Sequence, residues 1–263
     1  HKIAVLGGGS WATAIVKMLI ENTETVGWYM RSAPAIAYLK ENHHNPKYLR
    51  SAELDPKHLD LSNDINYMIT NYSVLIFAIP SAFLTSELDK LNESLENKTI
   101  FSAIKGIVPE TGLIVGEHFH KKYNIPLENI GVITGPCHAE EVAMERLSYL
   151  TIACQDEIKA KNIEKYLQSW YIKTKTSDDI IGTEYAAMLK NIYAVAAGMA
   201  HGLGYGDNFQ AVLMSNAIRE MKRFIKKVHK MKRNINNSAY LGDLLVTGYS
   251  LFSRNRQFGN MIG

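Results

Sequence analysis

KIAVLGGGSWATAIVKMLIEN, at residues 2–22, decides the fold class of this chain. It reads as an apolar strand, a glycine loop that matches G-x-G-x-x-G/A, and a helix that Ser10 is expected to cap. In that pattern Gly7 makes the tight turn, Gly9 lets the backbone approach a pyrophosphate, and the small Ala12 lets the helix pack on the strand. Because unpaired N–H groups at a helix start attract phosphates, the stretch predicts dinucleotide binding. A tight structural turn without a ligand is the alternative.

Further strands follow through the first part of the chain. Short apolar runs occupy residues 25–30, 73–80, 99–104, 130–135 and 149–154, and helical stretches separate them. This alternation predicts a parallel sheet that is covered by helices on both faces. We therefore expect a Rossmann-like, doubly wound α/β domain over residues 1–178, followed by an all-helical domain over residues 179–263. The short joint between the two predicts a cleft, which is a common place for ligands.

The composition excludes several classes of protein. A net charge of +3 over 263 residues is too small to indicate a nucleic-acid partner. The basic residues between 222 and 233 have the spacing of a solvated helix face, with nucleic acid or an anionic membrane as the weaker alternative. No apolar run reaches the roughly 18 residues of a membrane-spanning helix. Only Cys137 and Cys154 are present, so a reducing cytoplasm is expected, and no histidine spacing predicts a metal site.

The end of the second strand bears on the choice of cofactor. NAD-specific domains carry an Asp or Glu there for the ribose 2′-hydroxyl, whereas this chain has WYMRS at residues 28–32. Arg31 can accept a 2′-phosphate, so we expect NADP, or both NAD and NADP, to be used. An exposed arginine without any contact is the alternative.

One lysine interrupts the most apolar helical stretch, EYAAMLKNIYAVAAGMAHGLGYGDN at residues 184–208. A buried lysine needs a partner, and Asp243, which lies among apolar residues in GDLLVTGYS, is the obvious candidate for Lys190. Complete burial lowers a lysine pKa by as much as ~3–5 units, toward the range that suits proton transfer at neutral pH. The competing interpretation is a lysine whose amine extends from the helix interface to water.

Three other segments carry residues suited to an anionic substrate. Lys105 in SAIKGI follows a strand end, where ligands bind in parallel sheets, although a plain surface lysine is the alternative. Cys137 in GPCHAEE follows the next strand end and is expected to line the site rather than act as a nucleophile. Ser253, Arg254 and Asn255 combine a hydroxyl that can cap a helix, a guanidinium and an amide, which suits phosphate recognition. An ordinary cap beside solvated arginines competes with this interpretation.

Five motifs, taken in order, resemble those of the bacterial NAD(P)-dependent glycerol-3-phosphate dehydrogenases. They are GGGSWATA, SAIKGI, GPCHAEEVA, MLKNIYAVAAGMAHGLGYGDN and LGDLLVT with the SRN that follows, and the resemblance covers essentially the whole chain. It implies an oxidoreductase that transfers a hydride between NAD(P)H and dihydroxyacetone phosphate, forming sn-glycerol 3-phosphate for phospholipid synthesis. It also implies that the family's helical domain extends beyond Gly263, so that the domain is expected to be incomplete here.

The resemblance also implies roles for individual residues, with Lys190 as the catalytic proton acceptor. The residues expected at the substrate are Lys105, Gly135, Cys137, Lys190, Asp243, Ser253, Arg254 and Asn255. Those expected at the cofactor, with the glycine loop included, are Gly7, Gly9, Ser10, Trp11, Arg31, Lys105, Ala139 and Arg254. Cys137 departs from the family, which usually has Ser or Thr there, and this weakens the expected hydroxyl contact.

Two other functions stay open at the level of the sequence. One is another two-domain NAD(P)-dependent dehydrogenase that acts on a hydroxy acid or a sugar acid, and a substrate panel separates it from the first. The other is a catalytically silent dinucleotide-binding protein. A small phosphorylated molecule is the expected partner, without nucleic acid or membrane insertion, and a homodimer is left open.

Overall fold

An eight-stranded sheet organises the first two thirds of the chain in the computed structural model, which describes residues 2–263. A separate two-stranded hairpin pairs Ile107–Val108 with Leu113–Ile114. In chain order the strands are β1 (Ile3–Leu6), β2 (Val26–Tyr29), β3 (Leu59–Ser62), β4 (Val74–Phe77), β5 (Thr99–Ser102), β6 (Ile107–Val108), β7 (Leu113–Ile114), β8 (Ile130–Thr134), β9 (Ser148–Cys154) and β10 (Ile172–Ser177). The order across the large sheet is β10-β9-β8-β5-β4-β1-β2-β3.

Helices connect these strands and then form the rest of the chain. Those among the strands are α1 (Ser10–Ile20), α2 (Ala33–Asn42), α3 (Ile65–Asn71), α4 (Ser81–Leu88), α5 (Val115–Tyr123), α6 (Ala139–Ala143) and α7 (Glu157–Leu167). Those that follow are α8 (Ile180–Gly202), α9 (Asp207–Val228), α10 (Asp243–Tyr249) and α11 (Arg254–Ile262). Short 3₁₀ turns lie at Pro56–His58 and Leu127–Asn129, and a π-helical turn, Ser238–Gly242, leads into α10. Within residues 2–263, no helix has the length and apolar character needed to cross a bilayer.

The sheet is parallel over six strands, but β9 runs antiparallel to β8, and β10 follows β9. The prediction of a parallel sheet is therefore confirmed for the other predicted strands and wrong for β9. The only helix between β8 and β9 is α6, whose five residues span about 7.5 Å. Such a short helix does not cover a strand or carry the chain back to the opposite end of the sheet, so the next strand pairs in the reverse direction.

Two strands of the large sheet, β3 and β10, escaped the sequence prediction because they lie at its two edges. Their sequences, LDLS and IKTKTS, alternate polar and charged residues with apolar ones instead of forming an apolar run. Charged side chains are typical of edge strands, since they block pairing with another chain. The apolar runs that were predicted correspond to the central strands.

Apolar layers cover both faces of the sheet, and a third core holds the helices together. Trp28 and Tyr171 are fully buried on one face. Phe77 and Phe119 pack on the other, with ring centroids 4.8 Å apart. Met221 on α9 belongs to the core that α8, α9 and α10 share. Since burial of one large apolar side chain stabilises by about 1.5–3 kcal/mol, these layers fix the strand ends that form the site.

Buried charges secure the joint between the sheet and the helices. Asp179 caps α8 by accepting from the Gly182 N–H at 2.9 Å. The guanidinium of Arg233 donates to both carboxylate oxygens of Asp179, at 2.6 and 3.0 Å. Arg233 therefore does not belong to the solvated basic face on which its spacing placed it. The division after residue 178 remains a prediction, and it falls between the end of β10 at Ser177 and the start of α8 at Ile180.

Candidate active site

A cleft of about 550 Å³ opens where the carboxyl ends of the central strands meet the helices α8, α10 and α11. It brings together residues that lie more than 200 positions apart in the sequence. The predicted site residues that line it are Gly9, Ser10, Trp11, Lys105, Cys137, Ala139, Lys190, Ser253, Arg254 and Asn255. Two of the residues predicted at the substrate are not part of this lining, namely Gly135 and Asp243.

Lys190 reaches the cleft from α8 although only 2% of the residue is exposed. Its amine forms the expected ion pair with the carboxylate of Asp243, the first residue of α10, which is equally buried. Burial lowers the pKa of Lys190 to about 8. The carboxylate of Asp243 acts in the opposite direction and raises this pKa, whereas the ammonium of Lys105 lowers it further. Near neutral pH this amine can therefore both donate and accept a proton.

Asp243 lies behind Lys190 and is held from several sides. Its Oδ2 atom is 3.5 Å from the Thr134 hydroxyl at the end of β8. Its backbone carbonyl accepts from the Thr247 hydroxyl at 2.6 Å, one helical turn further along α10. Asp243 is thus placed to orient the lysine amine, whereas Lys190 itself meets the cleft.

Ser253, Arg254 and Asn255 form the start of α11 at the far wall of the cleft. The Ser253 hydroxyl caps the helix, as predicted, by accepting from the Arg256 N–H at 3.3 Å. Arg254 and Asn255 follow directly and line the cleft. A guanidinium, an amide and the positive end of a nine-residue helix therefore face the same space, which suits an anion.

Lys105 and Cys137 lie between these two ends of the cleft. The Lys105 amine is 5.4 Å from the ring centroid of Trp11. Burial raises the pKa of the Cys137 thiol to about 12, so the thiol stays protonated and lines the cleft as a small residue. Gly135 acts through the backbone instead: its φ is +129°, and a Cβ there would lie 2.6 Å from the Tyr149 carbonyl oxygen.

A second cavity of about 260 Å³ continues the cleft past the glycine loop. Its lining includes Gly7, Gly9 and Arg31, and Gly9 also lines the cleft, so the two form one groove over the ends of β1, β2 and β4. A Cβ at Gly9 would meet no atom within 4 Å, which leaves the loop open to a ligand. The Nε1 atom of Trp11 is buried without a partner in the described part of the chain.

The helix start at this groove also differs from the prediction. Ser10 does not cap α1: Gly9 is the cap residue, and no side chain satisfies the first turn. The first N–H groups of α1 are therefore left for another acceptor, and an open glycine loop beside them fits a pyrophosphate. The residues of this groove accordingly fit a dinucleotide. Within residues 2–263, no cluster of His, Cys, Asp and Glu is arranged to hold a metal ion.

The groove has further lining residues that were not among the predicted site residues. Asn191, which directly follows Lys190 and was expected only to help shape a ligand site, lines the cleft, and so does Thr247, one turn after Asp243, which was missed. Glu87 lines the second cavity, and Arg31 is not free, because its guanidinium lies 3.7 Å from a Glu87 carboxylate oxygen. The helical spacing from Asp243 could have indicated Thr247, but no local pattern marks Glu87.

Comparisons with known proteins identify the family of this chain. The family models for the NAD-dependent glycerol-3-phosphate dehydrogenase N-terminus and C-terminus match residues 2–160 and 179–263. A glycerol-3-phosphate dehydrogenase (NAD(P)+) of Exiguobacterium sp. is 36% identical over 263 residues, which cover 99% of this chain and 77% of the relative. One of the same name from Macrococcus caseolyticus is 33% identical, and the match covers 100% of this chain and 79% of the relative. The crystal structure of glycerol-3-phosphate dehydrogenase from Coxiella burnetii superposes with a TM-score of 0.89 at 26% identity, covering 100% of this chain and 80% of that one. The chain belongs to the NAD-dependent glycerol-3-phosphate dehydrogenase family.

Proposed function

We propose that this chain is an NAD(P)-dependent oxidoreductase that interconverts dihydroxyacetone phosphate and sn-glycerol 3-phosphate. The observation that carries the proposal is the buried Lys190–Asp243 pair in a cleft that has a glycine loop at one end and a phosphate-type helix start at the other. The glycerol 3-phosphate formed supplies phospholipid synthesis. The family assignment and the chemistry of the cleft support the same reaction.

Lys190 is the group that moves the proton. In the reducing direction its ammonium form donates a proton to the oxygen that develops negative charge on C2 of the substrate. In the oxidising direction its neutral amine takes the hydroxyl proton. Because its pKa is lowered to about 8, both forms are present near neutral pH. Asp243 orients the amine and balances its charge through the buried ion pair.

The other cleft residues bind and orient the substrate. Arg254 and Asn255 hold the phosphate at the start of α11, which Ser253 caps. Fixing the phosphate fixes C2 relative to Lys190, so the entropy of orientation is lost on binding rather than in the reaction. Lys105 adds positive potential close to the reacting oxygen. Gly135 and Cys137 shape the wall behind the substrate.

The groove over the strand ends would hold the cofactor. When bound, its nicotinamide would supply or accept the hydride. The residues that would hold the dinucleotide are Gly7, Gly9, Ser10, Trp11, Arg31, Lys105, Ala139 and Arg254. The glycine loop and the start of α1 suit its pyrophosphate, and Arg31 suits a 2′-phosphate, in line with use of NADP or of both cofactors. A cytoplasmic location and a homodimer stay predictions.

Reduction of dihydroxyacetone phosphate, followed in parallel by the loss of NADH and of NADPH absorbance, tests the proposal. We expect turnover with at least one cofactor, and oxidation of glycerol 3-phosphate in the reverse assay. A panel of non-phosphorylated hydroxy acids and sugar acids serves as the comparison. Preference for one of those acids would replace the proposed substrate, and tight cofactor binding without turnover of any substrate would indicate a silent dinucleotide-binding protein.

A further inference from the structure

A buried carboxylate, Glu87 on α4, lines the cavity next to the glycine loop. Only 2% of its side chain is exposed. Its Oε2 atom accepts a hydrogen bond from the Tyr29 hydroxyl at 2.6 Å. Its Oε1 atom lies 2.8 Å from the Lys90 amine and 3.7 Å from the Arg31 guanidinium. Tyr29, Arg31 and Glu87 all line the same cavity.

The place of this cavity in the fold indicates which part of the cofactor it would meet. It extends from the glycine loop to the end of β2. In dinucleotide-binding folds an acidic residue at that strand end binds the ribose 2′-hydroxyl, whereas a nearby arginine accommodates a 2′-phosphate. Here the strand end supplies the arginine, Arg31, and the carboxylate arrives from a different element as Glu87. Both kinds of recognition group therefore face one ribose position.

The ion pair between Arg31 and Glu87 is loose enough for Arg31 to change partner. A distance of 3.7 Å is longer than a hydrogen bond, and 64% of the arginine side chain is exposed. The guanidinium also lies 5.8 Å from the ring centroid of Phe83, on the rim of the cavity. Glu87, by contrast, is held at both oxygens. Burial and the carboxylate of Glu87 both raise the pKa of Tyr29, so Tyr29 remains a hydrogen-bond donor and cannot release Glu87 by ionising.

We propose that Glu87 is a specificity-determining residue that sets the balance between the two cofactors by competing for Arg31. With NADH bound, Glu87 accepts the ribose 2′-hydroxyl and keeps Arg31 as its ion-pair partner. With NADPH bound, the 2′-phosphate takes Arg31 away from Glu87, and the fixed carboxylate opposes the added negative charge. This inference rests on the proposed function only in requiring that the cavity hold the dinucleotide.

Titration of the protein with NADH and NADPH, without any substrate, measures the effect directly. For Glu87→Gln, which keeps the shape and can still accept from Tyr29, we expect the affinity ratio of NADPH to NADH to rise about tenfold, the size of one charge-assisted contact. For Arg31→Gln we expect the ratio to fall by about the same factor. In the double variant, Glu87→Gln is expected to raise the affinity for NADPH by a smaller factor than it does alone. The reason is that Arg31, for which Glu87 and the 2′-phosphate compete, is already absent.

Two further variants keep the test independent of folding defects. Lys90→Gln removes the half-exposed cation that pairs with Glu87, so less of the negative charge of Glu87 is balanced. The affinity ratio of NADPH to NADH is therefore expected to fall about two- to fivefold, which is opposite to the effect of Glu87→Gln. Ser86→Ala, an exposed neighbour on the same helix, should leave the ratio unchanged. A merely structural role for Glu87 would weaken both cofactors equally, and an unchanged ratio in Glu87→Gln and Lys90→Gln would overturn the inference. Failure of the wild-type protein to bind either cofactor would instead count against the proposed function.

Discussion

Replacement of Asp243 by asparagine removes the carboxylate beside the buried amine of Lys190 and leaves the side chain nearly the same size. Loss of one partner from a buried ion pair costs about 3–5 kcal/mol. At about 1.36 kcal/mol per pKa unit, that cost lowers the lysine pKa by roughly two to four units. The starting value is about 8, because burial and Lys105 already depress it against the effect of Asp243.

The expected result is a displaced pH profile. A pKa that falls by two units, from about 8 to about 6, reduces the ammonium fraction at pH 7 from about nine tenths to about one tenth. Reduction of dihydroxyacetone phosphate needs the ammonium, so its rate in the wild type should decline as the pH rises through about 8. In Asp243→Asn that decline should occur about two pH units lower. Oxidation of glycerol 3-phosphate needs the neutral amine, so its rate should increase with pH. In Asp243→Asn that increase should also occur at lower pH.

The assay is kcat against pH in both directions at saturating substrate and cofactor. Asp179→Asn is the matched control, because Asp179 is as buried as Asp243 and also touches α8, yet it pairs with Arg233 away from the cleft. This control should lower the unfolding temperature and leave the midpoint of the pH profile in place. If Asp243→Asn kept the wild-type midpoint, or moved it upward, the assignment of the titrating group to the Lys190–Asp243 pair would be refuted.

Three further changes test other parts of the site and the fold. Lys190→Ala should lower kcat by about 10²- to 10⁴-fold, the usual contribution of a positioned acid or base, while the dissociation constant for NADPH in a fluorescence titration stays the same. Arg254→Ala should reduce kcat/KM for dihydroxyacetone phosphate by about tenfold or more, and an unchanged value in steady-state kinetics would remove the phosphate-anchor assignment. Arg233→Met should lower the free energy of unfolding in urea by about 3–5 kcal/mol, since it leaves Asp179 buried without its cation. The exposed Arg223→Met should change it by no more than about 0.5 kcal/mol, and equal effects of the two would contradict the buried pair.

The parts of the fold that the sequence predicted well are those with local causes. A strand, glycine loop and helix within residues 2–22 constrain one another through backbone geometry alone, so they can be interpreted without knowledge of distant residues. The central strands are apolar because both of their faces are covered. By contrast, the direction of β9 depends on how far the short helix α6 carries the chain, and that is a property of the connection and not of the strand sequence.

The residues of the candidate site were predictable where a charged side chain stands in an apolar segment and therefore requires an oppositely charged partner. Lys190 in an apolar helix requires an acidic partner, and Asp243 stands in an apolar segment of the same helical part of the chain. Glu87 gives no such signal, because it lies in SAFLTSEL, which resembles any half-exposed helix. Its burial arises only when α4 packs beside β2 and brings the carboxylate to Tyr29 and Arg31. A contact made by tertiary packing of this kind cannot be derived from spacing.

The partner of the buried carboxylate of Asp179 is Arg233, and the sequence did not predict this pair. Helical spacing assigned Arg233 to a solvated basic face, but α9 ends at Val228, and beyond that residue the helical period no longer decides which side chains share a face. Asp179 needs a cation because it is buried, yet several lysines and arginines follow α9, and nothing in their order ranks one above another. The turn after α9 makes the choice by bringing Arg233 back to the start of α8, where Tyr240 also donates to the same carboxylate. The partner of a buried charge is therefore predictable when the sequence offers one candidate, and it requires the path of the chain when the sequence offers several.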